Sequence, residues 1–134
     1  MRKTATLTVQ AGHMDSTALR QFMEKQGAAW GARREVIERA AFNLAQSIET
    51  IASTGVAQSP LEVAATFDEF NLDVRVSYDG PELQLPETRP SPEEILESDD
   101  GEQRLAGFML RRFADRVAVS RKGERSSVLF HFDH

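Results

Sequence analysis

The sequence contains no cysteine, so disulfide bonds and thiolate metal sites are excluded and a reducing compartment is expected. No stretch approaches about 18 uncharged apolar residues, and the N-terminus lacks the apolar centre of a signal peptide. Neither a membrane span nor a secretory signal is therefore expected within these residues, and we expect a cytoplasmic protein. A Ser-His-Asp order, a Walker loop and a dinucleotide fingerprint are also missing, which excludes the most familiar catalytic classes. The sequence has no internal repeat.

The 134 residues, of which 40% are hydrophobic, can bury one sizeable core, so a single domain over 1–134 is expected. The net charge of −5 is unevenly distributed along the chain. Residues 79–102 contain nine acidic side chains against the single base Arg89, whereas residues 104–125 contain seven bases against Asp115 and Glu124. The two segments could offset each other across space, or the basic one could bind an acidic partner. Nucleic acid is disfavoured by the acidic total and by the lack of interleaved aromatics.

The first half of the chain predicts a strand and two helices. Residues 4–9 alternate threonine with apolar side chains, as in a half-buried strand. Asp15 or Ser16 is suited to cap a helix that ends near Gly27 or, as the less favoured alternative, at Gly31. A longer helix over 32–54, stopped by Gly55, carries one apolar stripe. The stripe comprises Ile37, Ala41, Leu44, Ile48 and Ile51.

The second half predicts two hairpins around an acidic loop. Residues 61–67 and 72–78 alternate as the strands of a hairpin, with a turn at 69–71. A Pro-rich, acidic, lid-like loop follows at about 81–103, with a short helix at 92–96. A helix face is then predicted, and 117–120 and 127–132 form a closing hairpin. The helix face comprises Leu105, Met109, Phe113 and Val117. The expected fold is α+β, a two-layer α/β sandwich with a mostly antiparallel sheet and helices on one face.

The loop after the first hairpin resembles a nucleotide-binding loop of the histidine-kinase-like ATPases, and in particular of anti-sigma factor kinases. In that family a strand leads into Asp-x-Gly-x-Gly, where the Asp binds the adenine amino group and the glycines allow the backbone to approach the nucleotide. The matching positions here are Tyr78, Asp79, Gly80, Pro81 and Glu82. A tyrosine therefore replaces the adenine-binding carboxylate, and a glutamate replaces the second glycine.

Two helices resemble the same family. Residues 43–48 are similar to its Asn-Leu-x-x-Asn-Ala motif, with Asn43 retained and Ser47 in place of the Asn that orients magnesium. Residues 104–117 are similar to a Gly-Leu-Gly-Leu-Phe-Leu-Ile motif followed by Asp-x-Val, but Arg104 and Ala106 stand at the phosphate-binding glycines, and Gly107 is one place late. A weaker match, the Gly-x-x-Ser/Thr turn that closes the pocket, falls on Gly123 and residues 126–127.

The resemblance implies the ATPase fold with a degenerate pocket. We expect no catalytic residue, no metal and no cofactor, and a non-catalytic regulatory or protein-interaction module. In the alternative, an ATP-binding serine kinase of the anti-sigma type, ATP and Mg would be bound, and Asp79 could replace the missing carboxylate after a one-residue shift. Asn43 and Ser47 lie four residues apart and would line the pocket, or they would lie on the solvent side of an amphipathic helix.

The altered residues also predict contacts with one another. Tyr78 continues the inward row of its strand, so its ring should fill part of the adenine space and its hydroxyl should find a partner. Arg104 should reach Glu82 or a carboxylate within 93–100 and close the loop. Outside this site, Met14, Met23 and Met109 are expected in the core, and Trp30 between helices.

A metal site formed by His131, Asp133 and His134 is a disfavoured hypothesis, because His134 is terminal.

A narrower resemblance concerns residues 26–34, 68–73 and 129–134, which look like the C-terminal cytoplasmic tail of bacterial xanthine/uracil permeases. It implies a regulatory or assembly role beside a nucleobase transporter, at the cytoplasmic face of the inner membrane. A protein partner or self-association is expected, and nucleic acid is not.

Overall fold

A computed structural model describes residues 2–10 and 15–134. The strands in these residues are β1 (Lys3–Val9), β2 (Leu61–Phe67), β3 (Asn71–Asp79), β4 (Arg116–Lys122) and β5 (Arg125–Asp133). The helices are α1 (Ser16–Trp30), α2 (Arg34–Thr54), α3 (Pro92–Glu97) and α4 (Gly101–Phe113). Each predicted element is present in the predicted order.

The five strands form one antiparallel sheet in the order β1-β2-β3-β5-β4. Inward side chains of neighbouring strands lie opposite each other, as in the row Val63, Val76 and Val128. The helical layer covers this inward face, and the opposite face of the sheet carries mainly polar or small side chains. The predicted α+β sandwich is therefore confirmed.

No helix in the described residues is long and apolar enough to cross a membrane.

Helix α2 is central to the core. Each residue of its predicted stripe is buried, and Gly55 ends it in the left-handed conformation (φ 67°) that glycine adopts without strain. The inward rows of β2, β3 and β5 belong to the same buried cluster as this stripe, and β3 and β5 contact α2 directly.

The favoured end of α1 was wrong. The helix is capped by Asp15, whose carboxylate accepts from the N–H groups of Thr17 and Ala18, and it continues to Gly31 (φ 74°). Gly27 lies inside the helix and faces α2. A Cβ there would overlap the side chain of Ile37, so this glycine permits close packing rather than a helix stop.

The predicted face of α4 was also wrong. The buried residues of the helix are Gly101, Gly107, Phe108 and Leu110, whereas Met109 and Phe113 are more than a third exposed. The chain leaves the helix at Ala114, so Val117 belongs to β4 and not to a helical stripe. The face is rotated because α4 packs against the preceding loop as well as against α2.

Four smaller expectations, for three methionines and the tryptophan, have different outcomes. Met23 is buried as expected, Met109 is not, and Met14 lies outside the described residues. Trp30 stacks in parallel on Phe67 of β2, with ring centroids 6.2 Å apart, so it packs on the sheet rather than between helices.

Candidate functional site

Tyr78 is the second-last residue of β3, and its side chain faces the core. By the sequence resemblance, it stands where histidine-kinase-like ATPases have the adenine-binding carboxylate. Only 1% of the residue is exposed, and its hydroxyl donates to the carbonyl oxygen of Pro81 at 2.8 Å. Burial raises the pKa of Tyr78 to about 12, since the charged phenolate would lose its hydration. The ring is therefore a satisfied part of the core.

The turn after Tyr78 is fixed by backbone contacts. Gly80 has φ 138°, a conformation that glycine tolerates, and its N–H donates to the backbone carbonyl oxygen of Glu124 at 2.8 Å. A Cβ on Gly80 would overlap the carbonyl oxygen of Val56, so the turn lies directly against the segment after α2. The hydroxyl of Ser126 donates to the Gly80 carbonyl and completes the closure.

Asp79 faces away from Tyr78. Its backbone N–H donates to the hydroxyl of Ser59 at 2.8 Å, and its carboxylate lies 3.3 Å from the guanidinium of Arg125. The same guanidinium lies 2.8 Å from Glu62, which is on the exposed row of β2. The carboxylate of Asp79 is thus paired on the open face of the sheet.

Asn43 and Ser47 of α2 are both buried. The hypothesis that they lie on the solvent side of the helix was therefore wrong. The amide nitrogen of Asn43 donates to the carbonyl oxygen of Leu110 at 3.1 Å and joins α2 to α4. The hydroxyl of Ser47 donates to the carbonyl of Leu44, one turn earlier in its own helix, at 2.8 Å. Among the described residues, the side-chain oxygen of Asn43 has no hydrogen-bond partner.

The loop between β3 and α3 lies on α4. Leu83 and Leu85 are buried, and the guanidinium of Arg111 donates to the Leu85 carbonyl at 2.9 Å. A Cβ on Gly107 would overlap the carbonyl oxygen of Gln84, so backbone approaches backbone without a gap. The sequence contained one signal for this contact, a glycine inside a helical pattern, which often marks close packing.

Arg104 pairs with the acidic run but not with Glu82. Its guanidinium lies 3.1 Å from Glu94 and 3.6 Å from Asp100, and Glu82 is exposed. The N–H of Ser91 lowers the pKa of the Glu94 carboxyl, and Ser91 and Arg104 side chains act in the same direction. Since the Arg104 side chain is 28% exposed, the pair orients α3 on α4 and contributes modestly to stability.

Two clefts border this region. One of about 400 Å³ is lined by residues 82–86, Arg104, Arg111 and Val119. The other, of about 390 Å³, lies between α2 and α4 and is lined partly by Gln46, Thr50 and Ala106. Neither is lined by Tyr78, Asn43 or Ser47. Tyr78, at the adenine-binding position of the resemblance, and Asn43 and Ser47, at the two Asn positions of its helix motif, therefore contact protein rather than open space.

The C-terminal histidines have separate partners. His131 contacts Asp73 through Nδ1 at 2.6 Å and Asp133 through Nε2 at 2.9 Å. Nε2 of His134 accepts from the N–H of Arg33 at 2.8 Å. Within residues 2–10 and 15–134, no group of three or more such side chains is arranged to hold a metal ion.

No protein-family model matches the chain, and no curated protein matches it. Among solved structures, it is similar to the crystal structure of the RsbU and RsbW domains of Rv1364c from Mycobacterium tuberculosis. The TM-score is 0.64 at 12% sequence identity, and the match covers 97% of this chain but only 32% of the other. At that identity the likeness shows the fold alone, and it is consistent with a histidine-kinase-like ATPase sandwich.

Proposed function

We propose that this chain is a non-catalytic regulatory or protein-interaction module that retains the histidine-kinase-like ATPase fold without its nucleotide site. The observation that carries the proposal is the buried Tyr78 ring, whose hydroxyl is bonded to Pro81 within the same turn. A nucleotide base in that position would have to displace the ring from the core. An aromatic side chain buries a large apolar area, so its removal would be unfavourable.

The phosphate side of the site supports the same proposal. In relatives with an open pocket, glycines let backbone N–H groups point at phosphate. Here Gly107 instead accommodates the carbonyl of Gln84, and Arg111 binds the carbonyl of Leu85. Gly107 and Arg111, two residues of α4 that could contact an anion, are thus engaged by the loop.

The magnesium side adds a third observation. Ser47 donates to its own helix, and the Asn43 amide donates to α4. The unpartnered oxygen of Asn43 is a single neutral acceptor, whereas Mg²⁺ is usually held by carboxylates and phosphates in octahedral geometry. Asp79, the replacement carboxylate under the ATP-binding alternative, is paired with Arg125 on the other face of the sheet.

The proposal is tested by titrating the protein with Mg-ATP in a calorimeter and by heteronuclear NMR. We expect no binding tighter than about millimolar. The matched variants are Tyr78→Phe, which keeps the ring, and Tyr78→Ala, which removes it. A micromolar dissociation constant in the unaltered protein, with shifts at Asn43 and Gly80, would overturn the proposal and favour the ATP-binding kinase alternative.

The resemblance to permease tails leads us to propose the cellular setting as well. In this setting the module acts beside a bacterial nucleobase transporter, on the cytoplasmic face of the inner membrane, and contacts a protein partner or another copy of itself. The upstream reading frame tests this proposal: about twelve hydrophobic spans would support it, and a frame without them would contradict it.

A further inference from the structure

Strand β4 forms one edge of the sheet in the part of the chain that the structure describes. It pairs with β5 on one side only, over residues 116–122. An edge strand presents a row of N–H and C=O groups that another extended chain can use. Addition of a strand to such an edge is a recurrent mode of peptide recognition, in which the backbone supplies affinity and alternate side chains supply specificity.

The side chains of β4 determine which extended chain would fit. On the open face of the sheet, Ala118 and Ser120 are small and are flanked by the exposed bases Arg116 and Lys122. On the helix-facing side, Val117 and Val119 are half-buried. Arg121 continues the same row and is exposed. An added strand would therefore meet positive charge at both ends of one row, and two valines followed by a third base along the other.

A second copy of the chain does not complement this edge. Antiparallel pairing of β4 with itself would bring Arg116 close to Lys122 of the copy, and like charges opposite each other destabilise a strand pair. The other edge, β1, offers Lys3 and a row of threonines, without a carboxylate. The occupant is consequently a different chain.

The cleft beneath β4 offers a site for an apolar side chain of that occupant. It has a volume of about 400 Å³ and is lined by Val119, Leu83 and Leu85, with Arg104, Arg111 and Glu82 at its polar margin. Arg104 is already paired with Glu94 and Asp100. The apolar lining next to the edge is the part that an alternate side chain of an added strand would reach.

We propose that the β4 edge binds an extended segment of a partner protein that has carboxylates near both ends and apolar side chains on the row facing the cleft. This inference rests on the proposed function of the chain as a protein-interaction module and names the surface and the chemistry of the partner. Within the described residues, neither Arg116 nor Lys122 is paired with a carboxylate, and Arg116 contacts Nε2 of His131 at 3.0 Å. The nearby Asp115 is bonded to Arg39, and Glu124 lies 3.9 Å from Arg121 on the cleft-facing row of β4.

The probe is a blocked peptide, Asp-Val-Thr-Val-Thr-Val-Asp, matched to the seven residues of β4. One control peptide replaces both Asp by Lys. Another carries an N-methyl group on the central Val and cannot complete the backbone ladder. Binding is followed by NMR shifts and by amide exchange, and single-stranded DNA is titrated separately as the competing polyanion.

We expect the acidic peptide to protect amides of β4, and both control peptides to bind at least about tenfold more weakly at low salt. Changing Arg116→Glu together with Lys122→Glu should weaken the acidic peptide about tenfold, whereas Arg34→Glu, at an exposed position on α2, should not. Equal binding of both charged peptides, no protection at β4, or binding of DNA alone would overturn the inference.

A Mg-ATP titration of the same sample separates this inference from the proposed function. Nucleotide binding would contradict the closed pocket and leave the peptide result intact. If neither the peptide nor Mg-ATP binds, only the inference about the β4 edge is contradicted.

Discussion

Ionisation of Tyr78 provides the most direct test of the filled pocket. The chain contains one tyrosine, so tyrosinate absorbance during an alkaline titration reports on this residue alone. Burial raises the pKa of Tyr78 from the ordinary value of 10.0 to about 12. A ring facing an open, hydrated cavity would titrate near the ordinary value instead.

The sign of the effect on stability follows from the raised pKa. The folded state favours the neutral phenol, so the contribution of Tyr78 to the free energy of unfolding is complete below about pH 10, the pKa of an unfolded tyrosine. It is lost as pH rises through the folded pKa of about 12. One pKa unit corresponds to about 1.4 kcal/mol, so the loss across this window is roughly 2 to 3 kcal/mol.

The assay is urea unfolding, followed by circular dichroism, at several pH values between about 8 and 12. Tyr78→Phe is the control, because it keeps the ring and every other side chain but has no phenol. At neutral pH the free energy of unfolding of the unaltered protein should exceed that of Tyr78→Phe by about 1 kcal/mol, because the variant lacks the bond to Pro81. This difference should diminish and then change sign as pH rises. A native titration midpoint near 10, or a difference independent of pH, would refute the buried phenol.

Two further substitutions test contacts around the site. Gly107→Ala should lower the free energy of unfolding by about 1 to 3 kcal/mol, because the new methyl group meets backbone of Gln84, whereas an unhindered helical Gly→Ala change is stabilising. Chemical denaturation measures this, and a stabilised variant would show that the loop does not lie on α4. His134→Ala should cost about 1 to 3 kcal/mol, since the ring accepts from the N–H of Arg33 and donates to the Glu69 carbonyl. Thermal unfolding followed by the fluorescence of the single tryptophan checks this, and an unchanged midpoint would mean that neither bond is formed.

The sheet and α2 could be predicted from the sequence because their side-chain periods are long and unbroken. Residues 61–67 and 72–78 alternate strictly, so the direction of every side chain, including Tyr78, follows from its parity in the strand. The stripe of α2 likewise determines which face packs on the sheet. These features are set by local geometry alone.

Tertiary contacts explain the features that were mispredicted. A glycine can end a helix or allow a close approach, and only the position of the neighbouring helix shows that Gly27 does the second while Gly31 does the first. Similarly, Met109 and Leu110 are both apolar, so the sequence alone does not show which of them is buried. The loop at 83–85 lies against Gly107 and thereby decides which side of α4 is buried.

The pairing of Arg104 was predicted and the burial of Asn43 was not. Charged partners ten residues apart can be proposed from the sequence, because opposite charge limits the choice. A single polar residue on a helix gives no such indication, and the partner of Asn43, the Leu110 carbonyl, belongs to a helix 67 residues away. Its burial depends on how α2 and α4 pack.

Under the proposed function, these contacts imply that substituting one residue would not create a nucleotide site. Replacing Tyr78 with Asp would place a carboxylate in an apolar setting, where an unpaired charge is strongly unfavourable, and would remove the ring that fills the space. The loop would still lie on Gly107, and the Arg111 guanidinium would still bind the Leu85 carbonyl. Opening the pocket requires the loop, α4 and the end of β3 to separate together. The altered residues therefore stabilise the closed arrangement jointly, and changing any one of them alone should lower stability without producing affinity for ATP.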